Sequence, residues 1–265
     1  MQSAKRGARK VHRRVLLAAA VAAVPFVAAF PATFSAPMAA AEVDYFGPDP
    51  AIVLTMAIYP GGNDDDLRGV TCESPRTCVP VPFPYLSRSI GAEDLEMAMV
   101  ADASGLPQIV FGYSQGARVV TSWLEEYAGA EEAPSPDQLS FVLIGNPGRK
   151  HGGAHVIWDQ VTPDTQYDVL DVARQYDLTA DRPDHFNLLA MANAYAGLAQ
   201  LHGHYEDVDI YASTNYVWKE NNTTYVFVPT EDLPLLTPLR RLGLNDLADS
   251  LNDPLKERIE KAYDR

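Results

Sequence analysis

Short apolar runs alternate with longer amphipathic stretches along most of the chain. The apolar runs predict buried strands at 51–58, 108–111, 139–144 and 167–173, and the amphipathic stretches predict helices at 92–103, 117–128 and 186–198. A hairpin is predicted over 215–228, with Asn221 and Asn222 at its turn. Strands that alternate with helices indicate an α/β fold, in which a mostly parallel central sheet has helices on both faces.

The last stretch, 233–262, is predicted to be helical and amphipathic, with interruptions at Pro238 and Pro254. Its pattern fits a segment that packs against the sheet as well as a lid, and both alternatives stay open.

The first 41 residues have a different pattern from the rest. Six basic residues come first, an apolar run follows at 15–29, and small residues end at Ala41. This order predicts a secretory signal peptide that is removed after Ala41. The alternative is an uncleaved N-terminal membrane anchor, although the apolar run is short for a bilayer and contains Pro25. Both alternatives place residues 42–265 outside the cytoplasm, secreted or anchored to the cell envelope.

Residues 42–265 have a length that fits one domain with a large core. The whole chain carries a net charge of −14, and without the six basic residues of the signal the remainder carries −20. So acidic a domain is not expected to bind nucleic acid or anionic lipid headgroups through its bulk charge.

The chain has two cysteines, Cys72 and Cys78. In an oxidising compartment they are expected to form a disulfide that closes a small loop. Two thiolates alone do not make a zinc site, so no metal is expected.

Residues 112–116 form a complete G-x-S-x-G motif around Ser114, between a predicted strand and a predicted helix. In this context the serine lies on a strained strand-to-helix turn, where its hydroxyl projects above the sheet as a nucleophile. The amide of Gln115 would provide one oxyanion donor, and the turn that contains Gly61 and Gly62 would provide the second.

A serine nucleophile needs a histidine base and an acid that orients the base, and this fold places them in the order serine, acid, histidine. His202 and His204 follow the predicted helix 186–198, and His202 is favoured as the base, with His204 as its rival. Two aspartates follow the strand before that helix. Asp181 is favoured as the acid because it lies farther into the loop, and Asp177 is its rival.

Several of these segments together resemble one family. Residues 112–117 are similar to the nucleophile turn of cutinases, and Arg174–Pro183 resembles the R-Q-Y-D-x-x-A-D-x-P segment of the PE-PPE C-terminal domain. His202–Tyr205 resembles the H-G-x-Y of the same family, which places the family histidine at His202. The resemblance implies a cutinase-like α/β-hydrolase fold and an enzyme of the actinobacterial cell envelope.

The predicted function is therefore hydrolysis of acyl or lipid esters by an exported serine esterase that needs no cofactor. An acyltransferase that moves fatty acyl groups between envelope glycolipids is the alternative that the resemblance implies. The substrate would be an acyl ester or a glycolipid, and association with the membrane or cell envelope would follow. A hydrolase fold that binds lipid or protein without catalysis is the third alternative.

Overall fold

The computed structural model describes residues 44–47, 49–57 and 63–265. Within these ranges, seven strands form one sheet in the order β2-β1-β3-β4-β5-β7-β6. The strands are β1 (Ile52–Met56), β2 (Thr77–Pro80), β3 (Gln108–Tyr113), β4 (Leu139–Ile144), β5 (Val169–Arg174), β6 (Tyr216–Glu220) and β7 (Thr223–Val228). All neighbouring pairs are parallel except β6 and β7, which form the predicted hairpin. The mostly parallel α/β sheet is confirmed.

Five α-helices accompany the sheet among the described residues. They are α1 (Arg88–Ala101), α2 (Gln115–Glu126), α3 (Leu188–Gln200), α4 (Thr237–Arg241) and α5 (Asn245–Glu260). None of the helices in this part of the chain combines the length and the apolar character that crossing a membrane requires. The predicted signal peptide or anchor at 1–41 lies outside the described residues.

Each face of the sheet has its own buried cluster, because successive strand residues point to opposite sides. On one face, α1 and α2 pack Leu95 and Trp123 against Val110 and Phe141. On the other face, Leu67 and residues of the loop after α3 pack against alternate strand residues. Leu67 belongs to a kinked segment (Asp66–Cys72, called here the 3₁₀ helix), in which Leu67, Arg68 and Gly69 have positive φ. Among the described residues, the side chains that cover this second cluster come from the 3₁₀ helix and from loops.

A third cluster joins α3, α4 and α5 around Tyr176, which follows β5. The segment 233–262 therefore packs within the domain, against α3 and the end of β5. One of its two predicted interruptions is wrong. Pro238 lies in the first turn of α4, directly after a 3₁₀ helix (Pro234–Leu236), so a boundary falls beside this proline. Pro254 lies inside α5, which continues through it, and a further break falls at Gly243, which has φ 77°.

Cys72 ends the 3₁₀ helix, Cys78 lies in β2, and the two form a disulfide with their Cα atoms 5.5 Å apart. The disulfide joins the 3₁₀ helix to the edge of the sheet. The strand β2 is absent from the sequence prediction because it is short and mostly exposed.

Candidate active site

Ser114 lies on the turn between β3 and α2, called here the serine turn (residues 112–116). Its backbone has φ 53° and ψ −105°, a conformation that is strained for any residue with a side chain. The serine side chain makes no capping hydrogen bond to α2, so the helix leaves its hydroxyl available.

Two glycines make the serine turn sterically feasible. A Cβ on Gly116 would lie 1.9 Å from the carbonyl oxygen of Met56 in β1. A Cβ on Gly112 would lie 3.0 Å from the backbone nitrogen of Ala117. The G-x-S-x-G spacing is thus required by close approach of the turn to its own helix and to the neighbouring strand.

The loop after α3 brings His202 to Ser114. The distance from His202 Nε2 to Ser114 Oγ is 2.8 Å, and from His202 Nδ1 to Asp177 Oδ2 it is 2.9 Å. The three side chains thus form a continuous chain of hydrogen bonds, the arrangement in which an acid orients a base and the base accepts the proton of a nucleophile.

Three features outside this chain of hydrogen bonds hold the imidazole in place. The carbonyl of Gly197 in α3 accepts a hydrogen bond from the amide of His202 at 3.3 Å. The hydroxyl of Tyr113, the last residue of β3, donates to the His202 carbonyl. Gly145 lies beside the ring, and a Cβ there would be 2.9 Å from Cε1 of His202.

The structure corrects the preference between the two aspartates. Asp177, not Asp181, contacts the imidazole, and its carboxylate is fully buried. Asp181 instead accepts a hydrogen bond from the amide of Tyr176 and forms an ion pair with Arg265 at 2.6 Å. Position farther into the loop was therefore the wrong criterion, because the loop turns back and directs Asp181 away from His202.

His204, the rival base, lies at the surface of the protein. The His204 side chain is 59% exposed, and its Nδ1 lies 2.9 Å from a carboxylate oxygen of Glu206. This is a surface ion pair, and the structure does not bring His204 to Ser114.

Gln115, the predicted oxyanion donor, is the first residue of α2 and is buried. Its amide therefore belongs to the first turn of a helix, where backbone N–H groups favour negative charge. Its side chain donates to the carbonyl of Tyr85 at 2.7 Å and accepts from Arg118 at 2.9 Å, which holds the residue in place. Gly61 and Gly62, predicted for the second donor, lie outside the described residues.

Tyr205 is a further residue at this site, and its place at the end of the H-G-x-Y segment did not indicate a role. Its hydroxyl donates to Asp177 Oδ2 at 2.9 Å and accepts from the amide of Arg174 at 3.2 Å. Burial, together with the charge of Asp177, raises the pKa of Tyr205 well above its usual range, so the hydroxyl remains a donor. Asp177 also accepts from the amide of Thr179 at 3.0 Å.

The 3₁₀ helix supports the loop that carries His202 and Tyr205. The amide of Leu67 donates to the carbonyl of Tyr205 at 2.9 Å, and that of Arg68 to the carbonyl of Glu206 at 3.1 Å. Beside these contacts, burial and the charge of Glu206 raise the pKa of Asp66 to about 7. The disulfide at the end of this helix thus stiffens an element that contacts the site.

One group of potential metal ligands occurs among the described residues, formed by Asp64, Cys72 and Cys78. Both sulfurs are in the disulfide, so neither is a thiolate that could bind zinc. This set of donors does not fit a metal site.

Comparison with known proteins gives consistent matches. The model of the PE-PPE domain matches residues 85–264. Esterase PE16 of Mycobacterium tuberculosis (strain ATCC 25618 / H37Rv) is 38% identical over 196 residues, which cover 66% of this chain and 37% of that protein. Diacyltrehalose acyltransferase Chp2 of the same strain is 33% identical over 187 residues, covering 60% of this chain and 52% of that protein.

SL1278 acyltransferase Chp1, also of this strain, is 33% identical over 199 residues, covering 67% of this chain and 48% of that protein. The chain thus spans from about a third to about half of the length of these relatives. Among solved structures, a cutinase-like protein from Cryptococcus sp. has 20% sequence identity and a TM-score of 0.38, covering 49% of this chain and 78% of that one.

Proposed function

The chain belongs to the PE-PPE domain family, and we propose that it is an exported serine esterase that cleaves acyl esters. The observation that carries the proposal is the chain of hydrogen bonds from Asp177 through His202 to Ser114, at 2.9 and 2.8 Å. A relative named an esterase and two named acyltransferases support ester chemistry at this site.

In the proposed mechanism, Ser114 Oγ attacks the ester carbonyl while His202 Nε2 accepts the hydroxyl proton. Asp177 fixes the tautomer that carries a proton on Nδ1 and stabilises the imidazolium that forms. The amide of Gln115 binds the oxyanion. His202 then gives its proton to the departing alcohol, which leaves an acyl group on Ser114 Oγ.

Water or a second alcohol resolves the acyl-enzyme in the next step. His202 takes the proton of the attacking O–H group, the ester bond to Ser114 breaks, and Ser114 Oγ recovers the proton. Both acceptors follow the same route, so the triad serves a hydrolase and an acyltransferase equally well. Transfer to a sugar hydroxyl is the second candidate function, because the name of one relative specifies a trehalose lipid.

Turnover of p-nitrophenyl esters of increasing chain length, with and without trehalose, tests both candidates. We expect Ser114→Ala and His202→Ala each to lower kcat by at least ~10³-fold, as for other triads. His204→Ala is the matched control, since His204 lies two residues away and is exposed; its kcat should stay within about twofold of wild type. An acylated trehalose product would favour the acyltransferase.

A folded wild-type protein that turns over no ester and takes no fluorophosphonate label on Ser114 would contradict the enzymatic proposal. A fold that binds lipid without catalysis would then be the better explanation.

Export and association with the cell envelope are part of the same proposal. The basic and apolar order of residues 1–41 supports export, as does the disulfide, since disulfides persist in oxidising compartments. Fractionation of cells with N-terminal sequencing tests this: a mature protein that begins at Glu42 is expected, and a cytoplasmic protein would refute export.

A further inference from the structure

The turn after β5 (residues 175–181, called here the acid turn) carries Asp177 directly after a residue with an unfavourable backbone conformation. Tyr176, the residue directly before Asp177, has φ 70°. Few bulky residues occupy this left-handed region, and the conformation persists only where the surroundings enforce it. The contacts of Tyr176 therefore show what holds Asp177 in place.

Asp181 makes two hydrogen bonds within the acid turn. Its Oδ2 accepts a hydrogen bond from the Tyr176 amide at 2.7 Å, and its own amide donates to the carbonyl of Asp177 at 2.6 Å. Asp181 thus holds the peptide before Tyr176 and the peptide after Asp177, and its carboxylate is bonded to Tyr176 and Arg265.

Glu260, the last residue of α5, holds Tyr176 through its side chain. Its Oε1 accepts from the hydroxyl of Tyr176 at 2.6 Å and from the side chain of Gln175 at 3.2 Å. The backbone amide and the phenol of Tyr176 are therefore held by two different carboxylates.

Arg265 joins those two carboxylates. Its Nη2 lies 2.6 Å from Asp181 Oδ2, its Nη1 lies 2.6 Å from Glu260 Oε2, and its Cζ lies 3.9 Å from the centre of the Tyr263 ring. Burial raises the pKa of Asp181 to about 6, while the charge of Arg265 opposes this rise. Without Arg265, a buried carboxylate would lose its counter-ion and face Glu260.

We propose that Asp181, Glu260 and Arg265 form a positioning clamp that holds the strained Tyr176 and thereby directs the carboxylate of Asp177 at His202 Nδ1. The members of this clamp are positioning residues, since the contact with the imidazole is made by Asp177. The effect of the clamp on turnover rests on the proposed function, whereas its effect on the contact between Asp177 and His202 does not.

The clamp is tested with Asp181→Asn, Arg265→Ala and Arg265→Lys. We expect Asp181→Asn and Arg265→Ala to lower kcat by ~10–100-fold, the size that a small misplacement of a catalytic group causes, while KM changes less than about twofold. Arg265→Lys keeps the charge but loses the planar fork that contacts both carboxylates, so it should recover part of kcat.

Arg240→Ala is the matched control. Arg240 also bridges two carboxylates, Asp232 at 2.6 Å and Asp249 at 2.5 Å, in the same C-terminal part of the chain. It makes none of the contacts to the acid turn described above. A merely general loss of ion pairing would affect Arg240→Ala as much as Arg265→Ala, whereas the clamp predicts that Arg240→Ala keeps wild-type kcat.

A spectroscopic measurement separates the clamp from the enzymatic proposal. The proton on His202 Nδ1, held by Asp177, should give a strongly downfield ¹H NMR resonance, assigned by its loss in His202→Gln. We expect it to shift or broaden in Asp181→Asn and Arg265→Ala and to persist in Arg240→Ala. This NMR measurement requires no turnover, so it tests the clamp even if the wild-type protein proves inactive.

Unchanged kcat together with an unchanged resonance in folded Asp181→Asn and Arg265→Ala would overturn the clamp. If those variants do not fold, Arg265→Lys decides the question. A wild-type resonance and wild-type kcat in Arg265→Lys would then be the contradicting result, because a single ammonium cannot reproduce both contacts of the guanidinium.

Discussion

The serine turn and the acid turn each hold one residue in a strained backbone conformation, but they do so with different parts of the chain. Each follows a parallel strand, and each contains a non-glycine residue with positive φ, Ser114 at 53° and Tyr176 at 70°. The serine turn gains its room from Gly112 and Gly116, within two residues of the serine. The contacts that hold Tyr176 come from Glu260, which is 84 positions away, and through Asp181 from Arg265.

This difference decides what a sequence can reveal. Where neighbouring glycines make a strained backbone possible, the sequence contains a short motif. Where a distant ion pair holds the strained residue, the sequence contains only two ordinary charged residues that are far apart. Mutations should therefore act differently in the two turns. Those at the serine turn act locally, and those at the acid turn act through packing and charge contributed by other elements.

Among variants of the acid turn and its contacts, the largest effect is expected from Asp177→Asn. An asparagine would be nearly isosteric, but it would favour the wrong imidazole tautomer, so kcat should fall by ~10³–10⁴-fold with folding retained. Steady-state kinetics with a p-nitrophenyl ester and thermal unfolding measure the two quantities. Asp181→Asn should lose at least ~10-fold less activity, because a positioning residue acts only indirectly. The opposite order of the two variants would return the role of the acid to Asp181.

The sequence was sufficient to predict most of the framework and to single out two of the three side chains, Ser114 and His202, that the structure joins by hydrogen bonds with Asp177. The buried strands were predictable because each is a compact apolar run, and Leu139–Ile144 was predicted with its correct bounds. Ser114 was recognisable because its turn is local. The bounds of α1 and α2 were displaced by two to four residues, since helix ends depend on caps such as Ser87.

The choice between Asp177 and Asp181 could not be made from local pattern, because both follow the same strand within one loop. What distinguishes them is Arg265, which neutralises Asp181, and Tyr205, which donates to Asp177. Both partners are distant in sequence, and their relation to this loop exists only after α3 and α5 have packed around Tyr176.

A smaller effect is expected from Gly197→Ala, which tests how α3 packs on the acid turn. A Cβ on Gly197 would lie 1.9 Å from the carbonyl oxygen of Tyr176, so the helix or the turn must move. Overpacking of this kind costs about 1–3 kcal/mol of unfolding free energy, which exceeds the gain in helix propensity of about 1 kcal/mol or less. Because the Gly197 carbonyl also binds the His202 amide, kcat should fall with stability.

Denaturant unfolding and kinetics on the same sample measure this result. Gly203→Ala is the control, because apart from its chain neighbours no atom lies within 4 Å of a Cβ there, and its unfolding free energy should stay within about 0.5 kcal/mol of wild type. Equal behaviour of the two glycine variants would show that close packing of α3 on Tyr176 does not position the site.

The smallest effect on kcat is expected from Tyr205→Phe, which removes one hydroxyl that contacts the Asp177 carboxylate. The buried carboxylate would keep its bonds to His202 and Thr179 but lose a donor at 2.9 Å, and the Arg174 amide would lose its acceptor. Hydrogen bonds to charged groups contribute about 1.5–3 kcal/mol, so the unfolding free energy should fall by that amount. Because the remaining bonds still orient Asp177, kcat should fall only ~3–10-fold.

Tyr195→Phe, whose side chain is exposed, serves as the control in the same unfolding and kinetic measurements. A loss of kcat as large as that of Asp177→Asn would mean that Tyr205, and not the clamp, is the main determinant of where the Asp177 carboxylate points.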